Sequence, residues 1–119
     1  LIELIKNKYQ GKFKIVIAPG PNEIDDAKKI NAICILDNNK VLNIPQLSSL
    51  IKQSSFVVSN DTGPAHIAAH LDVKGLTLFG SHTTAKKVSI ERDKFKAIQV
   101  VDLNKLSAKN VFEKIVNKL

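Results

Sequence analysis

The sequence alternates short, almost wholly apolar runs with segments whose apolar residues recur every three or four positions. Short apolar runs that are rich in β-branched residues and bounded by turn residues are typical of strands buried on both faces of a parallel sheet. Such runs lie at residues 13–18, 32–36, 55–59, 75–80 and 97–101. Because parallel neighbours must be joined by long crossovers, this alternation constrains the fold more than any other feature.

The segments between the runs have the spacing and end signals of helices. Residues 1–9 have the pattern of the last turns of an amphipathic helix, and further helical patterns lie at residues 22–30, 45–53, 63–71 and 107–119. A polar loop is predicted over residues 81–96. The order of elements predicts an α/β sandwich with a mostly parallel sheet.

Length and composition predict one globular domain over residues 1–119. The chain is 44% hydrophobic and 24% charged, and it holds no apolar run of the roughly 20 residues that span a bilayer. It starts at Leu1, within a helical pattern, so we expect it to be a piece of a longer protein. Cys34, the lone cysteine, is predicted to be a small core residue in a reducing compartment.

The net charge of +7 is spread along the chain and comes almost entirely from lysine, with Arg92 the lone arginine. Proteins that recognise nucleic-acid sequences depend on arginine side chains with two parallel hydrogen bonds and on aromatic rings that stack on bases. Aromatic residues make up only 5% of this chain. The charge therefore favours a solvated surface, an anionic ligand or an anionic membrane surface over nucleic acid.

The corner between the strand and the helix at residues 57–71 holds the strongest candidate site. Gly63 permits backbone conformations that are closed to other residues and lets a ligand come close to the main chain. Pro64 presets the helix at a position that needs no amide hydrogen. A helix that starts in this way presents free N–H groups and a partial positive charge, which together can hold a phosphate. The amides of Thr62 and Gly63 would meet that phosphate, and Asp61 would hold the turn or a sugar hydroxyl. An ordinary helix cap is the alternative interpretation.

The stretch SNDTGPAHIAAHLDVKGLTLFGS resembles the donor-site segment of the lipopolysaccharide heptosyltransferases, glycosyltransferase family 9. Their motif is D-[ST]-G-x-x-H-x-A-A-x-L followed by a strand that ends in [FY]-G-P. It is matched here by Asp61, Thr62, Gly63, His66, Ala68, Ala69, Leu71, Phe79 and Gly80. The resemblance covers residues 11–119 and is strongest over residues 55–80.

The resemblance implies the C-terminal, Rossmann-like half of a GT-B glycosyltransferase of bacteria. The whole enzyme would transfer a sugar, a heptose in this family, from a nucleoside diphosphate such as ADP to a lipid-linked saccharide, with inversion. It would work in the cytoplasm, at the inner face of the membrane. The acceptor pocket and the general base would belong to an N-terminal half, so the catalytic residues are unknown from this chain, which alone would be inactive.

The resemblance also implies roles for single residues. Thr62 and Gly63 would face the donor diphosphate, His66 would line the same pocket, and Glu23 would accept hydrogen bonds from ribose hydroxyls. Glu23 has an alternative interpretation, because an acid at a helix start is favourable without any ligand. The family's Pro after the strand-ending glycine is replaced by Ser81, and a different loop, with Thr83 and Thr84, follows it.

Other chemistry finds less support in the sequence. Lys86 and Lys87 follow a glycine, but the stretch lacks the second glycine and the ending of a P-loop. His66 and His70 have a metal-binding spacing, but the sequence shows no third ligand, so we expect no metal. We also expect no resident cofactor. His70 is predicted to be a partly buried scaffold residue. A non-catalytic nucleotide- or anion-binding α/β module is the alternative function, and a flavodoxin-like or receiver-type domain is a third interpretation.

Overall fold

The computed structural model describes residues 1–60, 62–80, 91–116 and 118–119. The elements alternate between helix and strand in the predicted order, which confirms the α/β class. They are α1 (Ile2–Tyr9), β1 (Val16–Ile17), α2 (Ile24–Lys28), β2 (Ile33–Cys34), α3 (Ile44–Gln53), β3 (Val57–Asn60), α4 (Gly63–His70), β4 (Gly75–Phe79), β5 (Phe95–Gln99), a 3₁₀ turn (Leu103–Lys105) and α5 (Ala108–Ile115).

All hydrogen-bonded pairs between these strands are parallel, as predicted. They form two sheets, one of β1 and β2 and one in the order β3-β4-β5. The chain divides into two compact units, which we call the first unit (Leu1–Leu47) and the second unit (Ser48–Leu119). Each unit contains one of the two sheets.

Local signals fix the turns and the helix start of the first unit. Asn38 and Asn39 have left-handed φ angles of 50° and 64° and form the tight turn between Asp37 and Lys40. At the start of α3 the Asn43 side chain accepts from the Gln46 amide and the Gln46 side chain accepts from the Asn43 amide, both at 2.9 Å. This reciprocal pair is a capping box.

The core of the second unit lies between its sheet and the helices. Small residues of α4 let that helix lie close to β3 and β4, since alanine places only one carbon between backbones. The buried apolar residues of this unit are Ile51, Ala65, Ala68, Ala69, Val73, Leu76, Phe79, Phe95, Val111 and Ile115. Two of them, Val111 and Ile115, lie four positions apart in α5, the helix that the sequence predicted over residues 107–119.

Strand β5 lies two residues earlier than the apolar pattern indicated. It begins at Phe95, which the sequence had placed in the polar loop, and it ends at Gln99. Phe95 is fully buried and pairs in register with Gly75, whereas Val101 is 87% exposed. Packing of one aromatic ring therefore sets the start of the strand.

Cys34 is half-buried in β2, opposite Ile17, so the prediction of a buried core residue was wrong.

None of the helices in the described ranges has the length and apolar character that crossing a bilayer requires.

A left-handed residue closes the carboxyl end of α4. Asp72 has a φ of 58°, its amide donates to the Ala69 carbonyl, and the Val73 amide donates to the Ala68 carbonyl. This pair of bonds is a Schellman motif, in which glycine is the usual left-handed residue. Asp72 also pairs with Lys94 at 3.3 Å, but both side chains are more than half exposed, so the ion pair contributes little.

We therefore expect Asp72→Gly to keep the free energy of unfolding within about 0.5 kcal/mol of wild type, because relief of the left-handed backbone offsets the lost ion pair. Asp72→Ala loses the same ion pair and puts alanine, which tolerates the left-handed conformation less well than aspartate, at that position, so it should cost about 1 kcal/mol. Urea unfolding followed by circular dichroism measures both changes. Equal stability of the two variants would contradict the assigned role of the backbone conformation.

Candidate functional site

The predicted corner lies at the carboxyl end of β3, where the strand ends at Asn60 and α4 begins at Gly63. This is the edge of a parallel sheet at which α/β proteins bind ligands. Thr62 is the residue before the helix and has extended backbone angles, φ −144° and ψ 177°. Asp61 lies outside the described residues.

The Thr62 hydroxyl does not cap α4. It makes no hydrogen bond to the first amides of the helix and instead lies 3.4 Å from the Asn60 carbonyl oxygen. In α5, by contrast, the Ser107 hydroxyl accepts from the Asn110 amide at 3.1 Å. The structure therefore does not support the alternative interpretation of Thr62, in which its side chain caps the helix.

At the start of α4, two amide donors have no hydrogen-bond acceptor in the described ranges. Ala65 donates to the Thr62 carbonyl at 3.1 Å, and Pro64 has no amide hydrogen. Among residues 1–60, 62–80, 91–116 and 118–119, no acceptor contacts the amides of Thr62 or Gly63. These are the two donors that the sequence predicted for a phosphate.

Gly63 does not have the left-handed conformation for which glycine is usually required, since its φ lies outside that range. The part of the prediction that depended on unusual backbone angles was wrong. The described residues do not require glycine here either, since a Cβ built at Gly63 has no heavy atom of theirs within 4 Å. The backbone is therefore open to a ligand on that side.

Hydroxyl groups converge on the Asn60 carbonyl oxygen behind the corner. The Ser59 hydroxyl donates to it at 2.9 Å, and the Thr77 hydroxyl donates to it from the neighbouring strand β4 at 3.2 Å. Thr77 is fully buried. Sequence reasoning missed these contacts, although a threonine within the apolar run GLTLFG was a signal for a buried hydroxyl that needs a partner.

His66 is half-buried and lines an open hollow of about 310 Å³ together with Ser48, Ile67, His70 and Leu71. Residues spaced by three, four and seven share one helix face, so His66, Ile67 and His70 lie on the same side of α4 as Gly63. The lining does not include Thr62 or Gly63.

His70 is exposed, so its prediction as a partly buried scaffold residue was wrong. Its Nδ1 lies 2.9 Å from the His66 carbonyl oxygen. Because a carbonyl only accepts, Nδ1 carries the proton and donates it. Within the described ranges, no group of three or more metal-ligating side chains is present.

Glu23 is the residue before α2, in the first unit, whereas Thr62, Gly63, Pro64 and His66 lie in the second. Its Oε1 accepts from the Gly20 amide at 3.0 Å, and its own amide donates to the Gly20 carbonyl at 3.1 Å. A Cβ at Gly20 would lie 2.6 Å from that oxygen. Glu23 therefore closes its own turn, and its exposed carboxylate keeps a second oxygen, for which the described residues supply no donor.

The loop that departs from the family pattern cannot be compared with its prediction. Ser81, His82, Thr83 and Thr84, as well as Lys86 and Lys87, lie outside the described residues.

A family model for glycosyltransferase family 9 (heptosyltransferase) matches residues 3–115. The chain belongs to this family. Membership confirms the resemblance carried by the motif at residues 61–80, and it favours a glycosyltransferase over the flavodoxin-like and receiver-type interpretations.

This family 9 chain is 32% identical over 68 residues to the lipopolysaccharide core heptosyltransferase OpsX of Haemophilus influenzae. The match covers 55% of the chain and 20% of that protein, so the chain corresponds to only a fraction of its relative's length. No solved structure matches the chain.

Proposed function

We propose that this chain forms the donor-binding half of a family 9 glycosyltransferase, a single Rossmann-like domain that binds a nucleoside-diphosphate sugar at the start of α4. The observation that carries the proposal is the open helix start: the amides of Thr62 and Gly63 have no acceptor among the described residues, and the Thr62 hydroxyl bonds elsewhere. Open amide donors at a helix start favour an anion with several acceptor oxygens.

The charge and space at the corner support a diphosphate in particular. The chain carries a net charge of +7, which raises the local concentration of anions at its surface. Gly63 has open space where a side chain would stand, so two linked phosphates can approach the backbone. Pro64 sets the helix direction without adding a donor that would need its own acceptor.

The remaining site residues have more peripheral roles in the proposal. Glu23 would accept hydrogen bonds from ribose hydroxyls through the carboxylate oxygen that the Gly20 amide leaves free. His66 would line the pocket one helical turn beyond the phosphates, and Asp61 would hold the turn or a sugar hydroxyl. None of these roles requires a metal or a resident cofactor.

For the whole enzyme we propose transfer of a heptose from ADP-heptose to a lipopolysaccharide-type acceptor, at the cytoplasmic face of an anionic membrane. The family and the name of the OpsX relative support this assignment. Negative charge develops on the departing diphosphate during transfer, and amide donors already aimed at that position stabilise it. An N-terminal half would supply the acceptor pocket and the general base.

Titration of the 119-residue chain with ADP, UDP and GDP, followed by ¹H–¹⁵N NMR, tests donor binding. We expect the amide signals of Thr62 and Gly63 to shift in a saturable way, most strongly with one of the three nucleotides. The amides of Asn110 and Val111 in the first turn of α5 are the internal control, because the side-chain and carbonyl oxygens of Ser107 already accept from them.

Unchanged Thr62 and Gly63 signals at millimolar nucleotide would refute donor binding at this corner. Equal shifts with all three nucleotides and with inorganic pyrophosphate would instead support the alternative, a non-catalytic anion-binding module.

A further inference from the structure

We infer that Thr77 is a positioning residue for the donor site: its buried hydroxyl holds the end of β3 so that the amides of Thr62 and Gly63 face the diphosphate. This inference rests on the proposed function. It concerns a residue of β4 that contacts no proposed ligand and acts through the Asn60 carbonyl.

Thr77 is unusual among the interior residues of the second unit because it is polar. It is fully buried, and it stands in β4 between Leu76 and Leu78, directly opposite Ser59 of β3. A valine of nearly the same shape would fill this place without a polar group to satisfy. The buried hydroxyl therefore requires a hydrogen-bond acceptor, and the Asn60 carbonyl oxygen, at 3.2 Å, is that acceptor.

The number of acceptors within reach of each hydroxyl proton distinguishes Thr77 from Ser59 and Thr62. The Ser59 and Thr62 hydroxyls lie 3.3 Å apart and 2.9 Å and 3.4 Å from the Asn60 carbonyl oxygen, so the single proton of each has two competing acceptors. The Thr77 hydroxyl donates only to the Asn60 carbonyl among the described residues. Being buried, it also has no competing water, which makes it the fixed anchor of the three.

The anchored carbonyl belongs to the last residue of β3, two positions before Thr62. A rotation of the Asn60 peptide would carry through the following bonds to the amides that the proposal assigns to the diphosphate. Since a hydrogen bond depends steeply on its angle, a small change of direction there weakens every bond to the ligand.

Two variants of one residue test this inference. Thr77→Val removes the hydroxyl and keeps the volume, whereas Thr77→Ser keeps the hydroxyl. Ile115→Val in α5 is the control, because it alters a fully buried residue of the same unit outside the corner at a stability cost of about 1 kcal/mol. Each variant is compared with wild type for the amide shifts of residues 60, 62 and 63 without ligand, and for ADP affinity by NMR titration.

We expect Thr77→Val to shift the ligand-free signals of the corner and to weaken ADP binding about tenfold, which is near the upper end of what one hydrogen bond contributes. Thr77→Ser should restore both readouts to within about twofold of wild type. Ile115→Val should change neither. Wild-type corner shifts in Thr77→Val would overturn the inference, and so would full ADP affinity in that variant.

If wild type itself binds no nucleotide, the ligand-free shifts still report on the anchor, and only the proposed function fails. Equal effects of Thr77→Val and Ile115→Val would show that general loss of stability, and not the hydroxyl, is responsible, which also overturns the inference.

Discussion

Gly75→Ala should lower the free energy of unfolding by about 3 kcal/mol, a large part of the stability of a small domain. A Cβ at Gly75 would lie 2.5 Å and 2.7 Å from ring atoms of Phe95 and 2.6 Å from the Val57 carbonyl oxygen. The ring is fully buried and the carbonyl belongs to the backbone, so neither can move aside easily. Urea unfolding of the variant measures the loss.

A double mutant identifies the cause. Phe95→Leu removes the ring atoms, so Gly75→Ala should cost less in that background than in wild type. The rescue should be incomplete, because the Val57 carbonyl remains 2.6 Å from the added carbon. Full additivity of the two substitutions would contradict the proposed collision with the ring.

Gly63→Ala makes the same chemical change at the start of α4. There we expect stability to change little and ligand affinity to fall. No described heavy atom lies within 4 Å of the added Cβ, so stability should stay within about 1 kcal/mol of wild type, the difference in helix propensity being of that size. The methyl group would occupy space that the diphosphate needs, and nucleoside-diphosphate affinity should fall about tenfold. NMR titration with the preferred nucleotide measures the affinity.

Ala108→Val is the control for bulk at a helix start. Ala108 is the exposed first residue of α5, in the same unit, and no ligand is proposed there. Unchanged affinity in this variant and reduced affinity in Gly63→Ala would place the ligand at α4. Full affinity in Gly63→Ala would instead exclude close contact between the phosphates and that backbone.

The donor-site prediction combined two kinds of information with different outcomes. The positions of Thr62 and Gly63 at a strand-to-helix corner follow from the turn residues between two apolar segments, and the structure places them there. The conformational reason given for Gly63 was wrong because many residues can adopt its backbone angles. A Cβ at that position would meet no described heavy atom, so the packing of the chain itself does not require glycine, and the proposed phosphate contact is the reason that remains to be tested.

Contacts between strands could not be predicted at the level of single residues. The Thr77 hydroxyl meets the Asn60 carbonyl only because β4 pairs with β3 in one register. Phe95 begins a strand, although polar residues precede it, because its ring packs against Gly75. Both facts depend on atoms 17 to 20 positions apart along the chain.

The sequence by itself determined the order of helices and strands, the parallel α/β class and the corner at the end of β3. These properties follow from periodicity, turn chemistry and caps, which act over a few neighbouring residues. Only the tertiary structure decided which hydroxyl anchors the corner, where β5 begins and which glycine is enclosed by its neighbours. Those outcomes depend on strand register and side-chain volume, and both arise when distant segments pack together.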